Sequence, residues 1–112
     1  MKKIEAIVHP CKVRDIRLAL RELGAGGVTV TQVLGHGRDE EHTEVYRGLE
    51  YDASLRPRAK LEVVVGDRDL DDVIDVIYRA AHTGDSGDGK IFVSDVAEVI
   101  RISSAERDEA AV

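Results

Sequence analysis

Tryptophan is absent and aromatic residues make up only 4% of the chain, three tyrosines and one phenylalanine, so a core has to be assembled from Val, Ile, Leu and Ala. A single cysteine, Cys11, excludes a disulfide within the chain. The opening MKKIEAIVHP lacks the apolar run of a signal peptide or a membrane span, which makes the cytoplasm the expected address and excludes membrane insertion. A positive stripe is missing as well. Sixteen basic residues stand against 22 acidic ones, a net charge of −6, and the basic residues are scattered, so nothing is available to neutralise a nucleic-acid backbone.

What is present is 43% hydrophobic and 34% charged, the balance of a globular chain, and 112 residues suit a single domain over 1–112. A short chain with few large side chains buries a modest share of its surface, and a homo-oligomer is therefore expected as a source of further buried area.

Lys3 to Val8 alternates, with Ile4, Ala6 and Val8 on one face and Lys3 and Glu5 on the other, the period of a strand. Pro10 opens a helix whose apolar residues Val13, Ile16, Leu20 and Leu23 share one face, with Arg14, Arg17 and Arg21 towards solvent. Gly24 ends it. Cys11 falls in the first turn, where it reads as a small apolar residue or as a thiol near the positive end of the helix dipole. Val28 to Leu34 and Lys60 to Val65 are the next strands. A second helix runs from about Leu70 to Ala81, with Leu70, Val73, Ile74 and Ile77 on its apolar face and Asp69 placed to cap it. Lys90 to Ile102 supplies a last long strand or a pair of strands. Strand, helix, strand, strand, helix, strand is the order of a ferredoxin-like α+β sandwich, with both helices on one face of the sheet. The run Ile91, Val93, Val96, Val99 and Ile100 leaves little of the last strand polar, so the other face is expected to pack against a further subunit.

Residues 35–57 do not serve such a core. They join two strands that a short turn would join, are rich in charge and glycine, and carry Tyr46 and Tyr51. A connection of this length is expected to be an interaction or modification loop. From residue 82 to residue 90 the chain is glycine-rich and ends on a lysine. Gly84, Gly87, Gly89 and Lys90 read on their own as an ordinary helix-to-strand turn, with a phosphate-binding turn as the alternative. It is not a Walker loop, which runs from strand to helix and has Ser or Thr after the lysine.

Six segments together, MKKIEAIV, VTVTQVLGHGR, HTEVYRGLEY, KLEVVV, TGDSGDGKIFV and VIRI, resemble the PII nitrogen-regulatory proteins in order and spacing over nearly the whole chain. The resemblance implies a homotrimer that binds adenine nucleotide, ATP or ADP, in clefts between subunits. It also implies a T-loop at about 35–57 that docks on an ammonium transporter or a nitrogen-metabolism enzyme or regulator, a B-loop at about 82–90 and a C-terminal loop at about 103–112. By the same resemblance Gly35, Gly37, Arg38, Gly84, Gly87, Asp88, Gly89, Lys90 and Arg101 serve the phosphates, and Thr29, Glu62 and Val64 border the adenine. Arg101 would stand in an apolar strand, where a cation calls for an anionic partner. Tyr51 matches a tyrosine modified with a nucleotidyl group in some relatives, and Arg47 matches a residue inserted into a transporter pore.

Three departures qualify that picture. Asp39, Glu40 and Glu41 replace the usual Gln-Lys-Gly beside the Mg²⁺ and 2-oxoglutarate site, and Arg58 and Ser103 replace a lysine and an arginine. Asp39 still offers oxygen to Mg²⁺, but three carboxylates oppose a dianion, so weak or lost 2-oxoglutarate binding is expected. The alternative is a PII-like regulator responsive to ADP or AMP outside nitrogen control. No enzyme is expected, because no nucleophile and base pair is evident. His36, His42 and His82 lack a metal-ligand spacing, so no metal held by histidine is expected, and His9 beside Pro10 reads as a surface or turn residue.

Overall fold

The protein is described by a computed structural model over residues 1–37, 43–46, 49–52 and 55–112, with side chains outside 38–54. In chain order the elements are β1 (Lys2–Val8), α1 (Val13–Leu23), β2 (Thr29–Gly35), β3 (Thr43–Tyr46), β4 (Leu49–Asp52), β5 (Arg56–Val65), α2 (Leu70–Ala81) and β6 (Lys90–Asp95). The antiparallel main sheet has the order β2-β5-β1-β6, and the two helices complete a ferredoxin-like α+β fold.

The period-two pattern does what it predicts. Ile4, Ala6 and Val8 of β1 and Ala59, Leu61, Val63 and Val65 of β5 point into one buried layer, which Ile16 and Leu20 of α1 and Val73, Ile77 and Ala81 of α2 close from above. Each Ile, Leu or Val so buried contributes about 1.5–3 kcal/mol, which compensates for the shortage of aromatics. Gly24 terminates α1 with φ +79°, and its N–H returns to the carbonyls of Leu20 and Arg21. Leu23, expected on the apolar face, is exposed. Among the described residues no helix is long and apolar enough to cross a membrane.

Several expectations need correction. Pro10–Lys12 is a separate 3₁₀ turn before α1, and Cys11 on it is exposed, so it fills no core position. Asp69 occupies the position before α2 but makes no side-chain cap, because the 3₁₀ turn Asp67–Asp69 leaves its backbone helical (φ −97°, ψ −6°) instead of extended as a capping residue is. The final strand stops at Asp95 instead of continuing to Ile102. Its partner β1 begins at Lys2, which faces Asp95, so beyond that pair there is no strand left to bond. Past it the chain turns, with a lone bridge between Ile100 and Arg107.

The open face of the sheet also differs from the apolar surface expected. Ile91 and Val93 oppose Ala6 and Ile4 and so lie on the helix side. The open side mixes Ile7, Val64 and Phe92 with Lys3, Glu5, Lys60 and Glu62, which pair among themselves: Lys3 Nζ lies 2.9 Å from Glu62 and 3.1 Å from Glu5. The hydrogen bond from Lys3 holds the Glu62 carboxyl below its ordinary range.

Candidate functional site

Two distant stretches of chain converge on a cleft of about 350 Å³. One is the end of β2 and the residues after it, Gly35, His36 and Gly37; the other is the turn between α2 and β6, with Ser86, Gly87, Gly89 and Lys90. Ile7, Arg58 and Phe92 complete the lining from β1, β5 and β6. Register explains the convergence. Gly35 faces Arg56 and Val33 faces Arg58, while Lys90 faces Ile7, so the base of the long loop and the glycine-rich turn meet at the same end of the sheet.

The turn owes its shape to Asp88 and two glycines. The Asp88 carboxylate accepts hydrogen bonds from the Thr83 N–H at 2.7 Å, the Gly84 N–H at 3.0 Å and the Thr83 hydroxyl. Led by the Thr83 hydroxyl, these donors lower its pKa to about 2. Gly84 has φ +91° and Gly89 φ +105°, and a Cβ on Gly89 would fall 1.7 Å from the Ile7 carbonyl oxygen. Only a glycine lets the turn lie this close to β1. Gly35 is different: a Cβ there would meet nothing nearer than the Arg58 Cγ at 4.0 Å, so the chain's own packing does not demand it.

Chemically the cleft suits an anion. Among the described residues no carboxylate lines it, whereas Arg58 and Lys90 do. His36 Nδ1 lies 3.2 Å from the Gly37 carbonyl, and Arg58 donates to the Pro57 carbonyl at 2.9 Å. Among the described residues no group of three or more His, Cys, Asp and Glu is gathered as a metal set.

Of the residues singled out from sequence, Gly35, Gly37, Gly87, Gly89 and Lys90 share this cleft, and Gly84 and Asp88 shape the turn behind it. Thr29, Glu62 and Val64 do not join them. Thr29 faces Glu62 and Val64 faces Lys3, towards the other end of β2 and β5. Arg101 lies outside any strand and is exposed, and its guanidinium donates to the Ala111 carbonyl at 3.1 Å. The expectation of a cation stranded in an apolar strand therefore falls, for want of the strand. Arg38, Asp39 and Arg47 lie outside the described residues, and Tyr51 is described only as a backbone position of β4. The sequence reading missed Ile7, His36, Ser86 and Phe92. Alternation in β1 assigned Ile7 to the open face, and that was the available signal.

Comparison with known proteins gives the same picture from another direction. The family model described as Nitrogen regulatory protein P-II matches residues 1–106. Over all 112 residues of both chains, the sequence is 54% identical to Nitrogen regulatory protein P-II 1 of Escherichia coli (strain K12) and 48% identical to Nitrogen regulatory protein GlnK of the same organism. A crystal structure of Arabidopsis thaliana PII bound to citrate superposes with a TM-score of 0.81 at 38% identity, covering 99% of this chain and 91% of that one. With a family model over residues 1–106, 54% identity to a curated member along the full 112 residues and a matching fold, the chain belongs to the P-II family of nitrogen regulatory signal proteins.

Proposed function

We propose that this protein is a cytoplasmic, non-catalytic regulator that binds adenine nucleotide, ATP or ADP, in the cleft and passes its state through the 35–57 loop to a partner protein. The partner is an ammonium transporter or an enzyme or regulator of nitrogen metabolism. One observation carries the reading: in an acidic chain, two glycine-bearing segments and the cationic side chains of Arg58 and Lys90 meet around one cleft, with no carboxylate among its described lining residues. Backbone N–H groups and Lys90 suit phosphate oxygens, and Arg38 and Arg101 are assigned to the same phosphates.

Thr29, Glu62 and Val64 are assigned to the adenine from a neighbouring chain. Thr29 and Gly35 sit six residues apart along one strand, roughly 20 Å, too far to serve the two ends of one ligand from a single chain. A site shared between subunits of a homotrimer removes that difficulty. Differential affinity for the nucleotide then shifts the loop population, with Arg47 as a partner contact and Tyr51 as a modification site. The Arabidopsis thaliana PII was solved with citrate, and a cation-lined cleft suits carboxylate as well as phosphate. Even so, Asp39, Glu40 and Glu41 oppose 2-oxoglutarate, and weak binding of that dianion is proposed, with Asp39 as the oxygen ligand offered to Mg²⁺. Ser103, in place of a cation, favours a second reading, a sensor of ADP or AMP outside nitrogen control.

Calorimetry with ATP, ADP and AMP, each with and without Mg²⁺ and 2-oxoglutarate, tests this. Lys90→Ala is expected to weaken nucleotide binding by about 2 kcal/mol, roughly 30-fold, as a lost charge-assisted contact. Absence of nucleotide binding, or indifference to Lys90→Ala, overturns the reading. If 2-oxoglutarate strengthens ATP binding, the assignment of Asp39 is wrong.

A further inference from the structure

Behind the glycine-rich turn, on the side away from the cleft, lies a hollow of about 240 Å³ whose walls include Tyr78, His82, Asp88 and Lys90. His9, at the end of β1, reaches the same carboxylate. Its Nε2 stands 3.5 Å from Asp88 Oδ1 and 4.0 Å from Asp85 Oδ2. From the end of α2, His82 Nδ1 stands 3.7 Å from Asp88 Oδ2, with its ring stacked on Tyr78 at 5.1 Å between centroids. Two imidazoles from two different elements therefore flank the two oxygens of the carboxylate that shapes the turn. These separations are too long for good neutral hydrogen bonds and suit ion pairs once the rings are protonated.

The groups facing the pair decide the sign of the effect. They are Asp85 and Asp88 of the turn, Tyr78 of α2 and Lys90 of β6. Lys12 is tied to His9 through the backbone, its N–H donating to the His9 carbonyl at 3.0 Å. With both imidazoles neutral, His9, His82, Asp85, Asp88 and Lys90 sum to a charge of −1. With both protonated the sum is +1, so the charge beside the anion cleft changes sign. Gly89 and Lys90 border the cleft and the hollow alike, so charge gained on one side is felt on the other.

We propose that His9 and His82 are positioning residues for the anion site, acting through Asp88: proton uptake by the two imidazoles tightens the turn and raises anion affinity in the cleft. This rests on the reading of the cleft as a phosphate-binding site. It makes ligand binding in this chain proton-linked across the range where imidazoles change charge, about pH 5 to 8.

ADP affinity measured by calorimetry at about pH 6 and about pH 8, in the wild type and in the double variant His9→Gln, His82→Gln, tests it. The terminal phosphate of ADP itself titrates near about pH 6, and comparison with the double variant removes that common contribution. The pair is assigned a coupling of about threefold for each imidazole and about tenfold for the two together. The wild type is therefore expected to gain about tenfold more affinity between the two pH values than the variant does. Equal pH dependence in the two proteins overturns the proposal while leaving nucleotide binding intact. His82→Lys, charged at both pH values, is expected to flatten the profile, and an unchanged slope counts against the pair. Amide hydrogen-exchange protection of Thr83 and Gly84, followed without ligand, judges the turn separately. It is expected to rise towards pH 6 in the wild type only. If ADP binds at neither pH, the nucleotide reading fails, and protection independent of pH overturns the imidazole proposal as well.

Discussion

Replacing Gly89 by alanine tests whether the turn is held against β1 as tightly as its geometry states. The new Cβ would sit 1.7 Å from the Ile7 carbonyl oxygen and 2.8 Å from its carbon. Even a 3.0 Å contact demands a displacement of at least 1.3 Å, the difference between 3.0 and 1.7, and both partners are backbone. Ile7 cannot yield freely, because it is paired with Lys60 on one side and Lys90 on the other. The φ of +105° adds strain of its own, about 1–3 kcal/mol for a residue with a side chain. With the clash included, a loss of about 3–5 kcal/mol is expected, within the range of the more severe single substitutions. Gly84→Ala is the matched control. Its φ is +91°, but a Cβ there meets nothing within 4 Å, so strain alone applies and about 1–2 kcal/mol is expected. Urea unfolding at one fixed chain concentration separates the two, since any association of chains adds a concentration term. A loss below about 1 kcal/mol for Gly89→Ala, or equal losses for the two variants, would refute the close approach.

Two further predictions concern the turn and the core. Asp88 has its pKa lowered from 3.8 to about 2, so its stabilising contribution is present above the unfolded value of 3.8 and is lost as pH falls through about 2. Carbon-detected NMR of its carboxyl group should show a midpoint near 2, with Thr83 and Gly84 losing protection over the same interval; a midpoint at the ordinary value refutes the three donors. Ile77 is 1% exposed, and Ile77→Ala should cost about 3 kcal/mol, read as a lower urea midpoint with the slope unchanged. A loss under about 1 kcal/mol would place that side chain outside the packed layer.

The fold was legible wherever one periodicity served one buried layer. Ile4, Ala6 and Val8, and likewise Val73 and Ile77, follow the spacing of their elements and are buried. Legibility failed where a partner's length decided the outcome. Nothing local in Val96 to Ile102 reveals that β1 has already run out at Lys2. Within the long loop, β3 and β4 pair from Thr43↔Asp52 to Tyr46↔Leu49. Arg47 and Gly48 lie between them in sequence, and Arg-Gly is not one of the dipeptides that mark a tight hairpin, so this pairing carried no local signal. At the site, Gly87, Gly89 and Lys90 meet Gly35 and Gly37 at one cleft, a convergence that the family resemblance implied and that no local spacing reveals. The positions of His9 and His82 around Asp88 were not legible, because three elements have to assemble before those side chains meet.

Strand β1 occupies an interior position in the sheet although it is the first to be made, and this sets the timing of folding. Its flanking partners lie far downstream: Lys2 pairs with Val65, 63 residues later, and with Asp95, 93 residues later. A nascent chain shorter than these separations carries β1 with both edges open, exposed to wrong pairing. The loop-closure entropy of both pairings has to be met before the layer of Ile4, Ala6 and Val8 is covered, which slows folding relative to a fold of local contacts. The first half of this molecule is therefore not a folding unit, and the native sheet becomes complete only after β6 has left the ribosome.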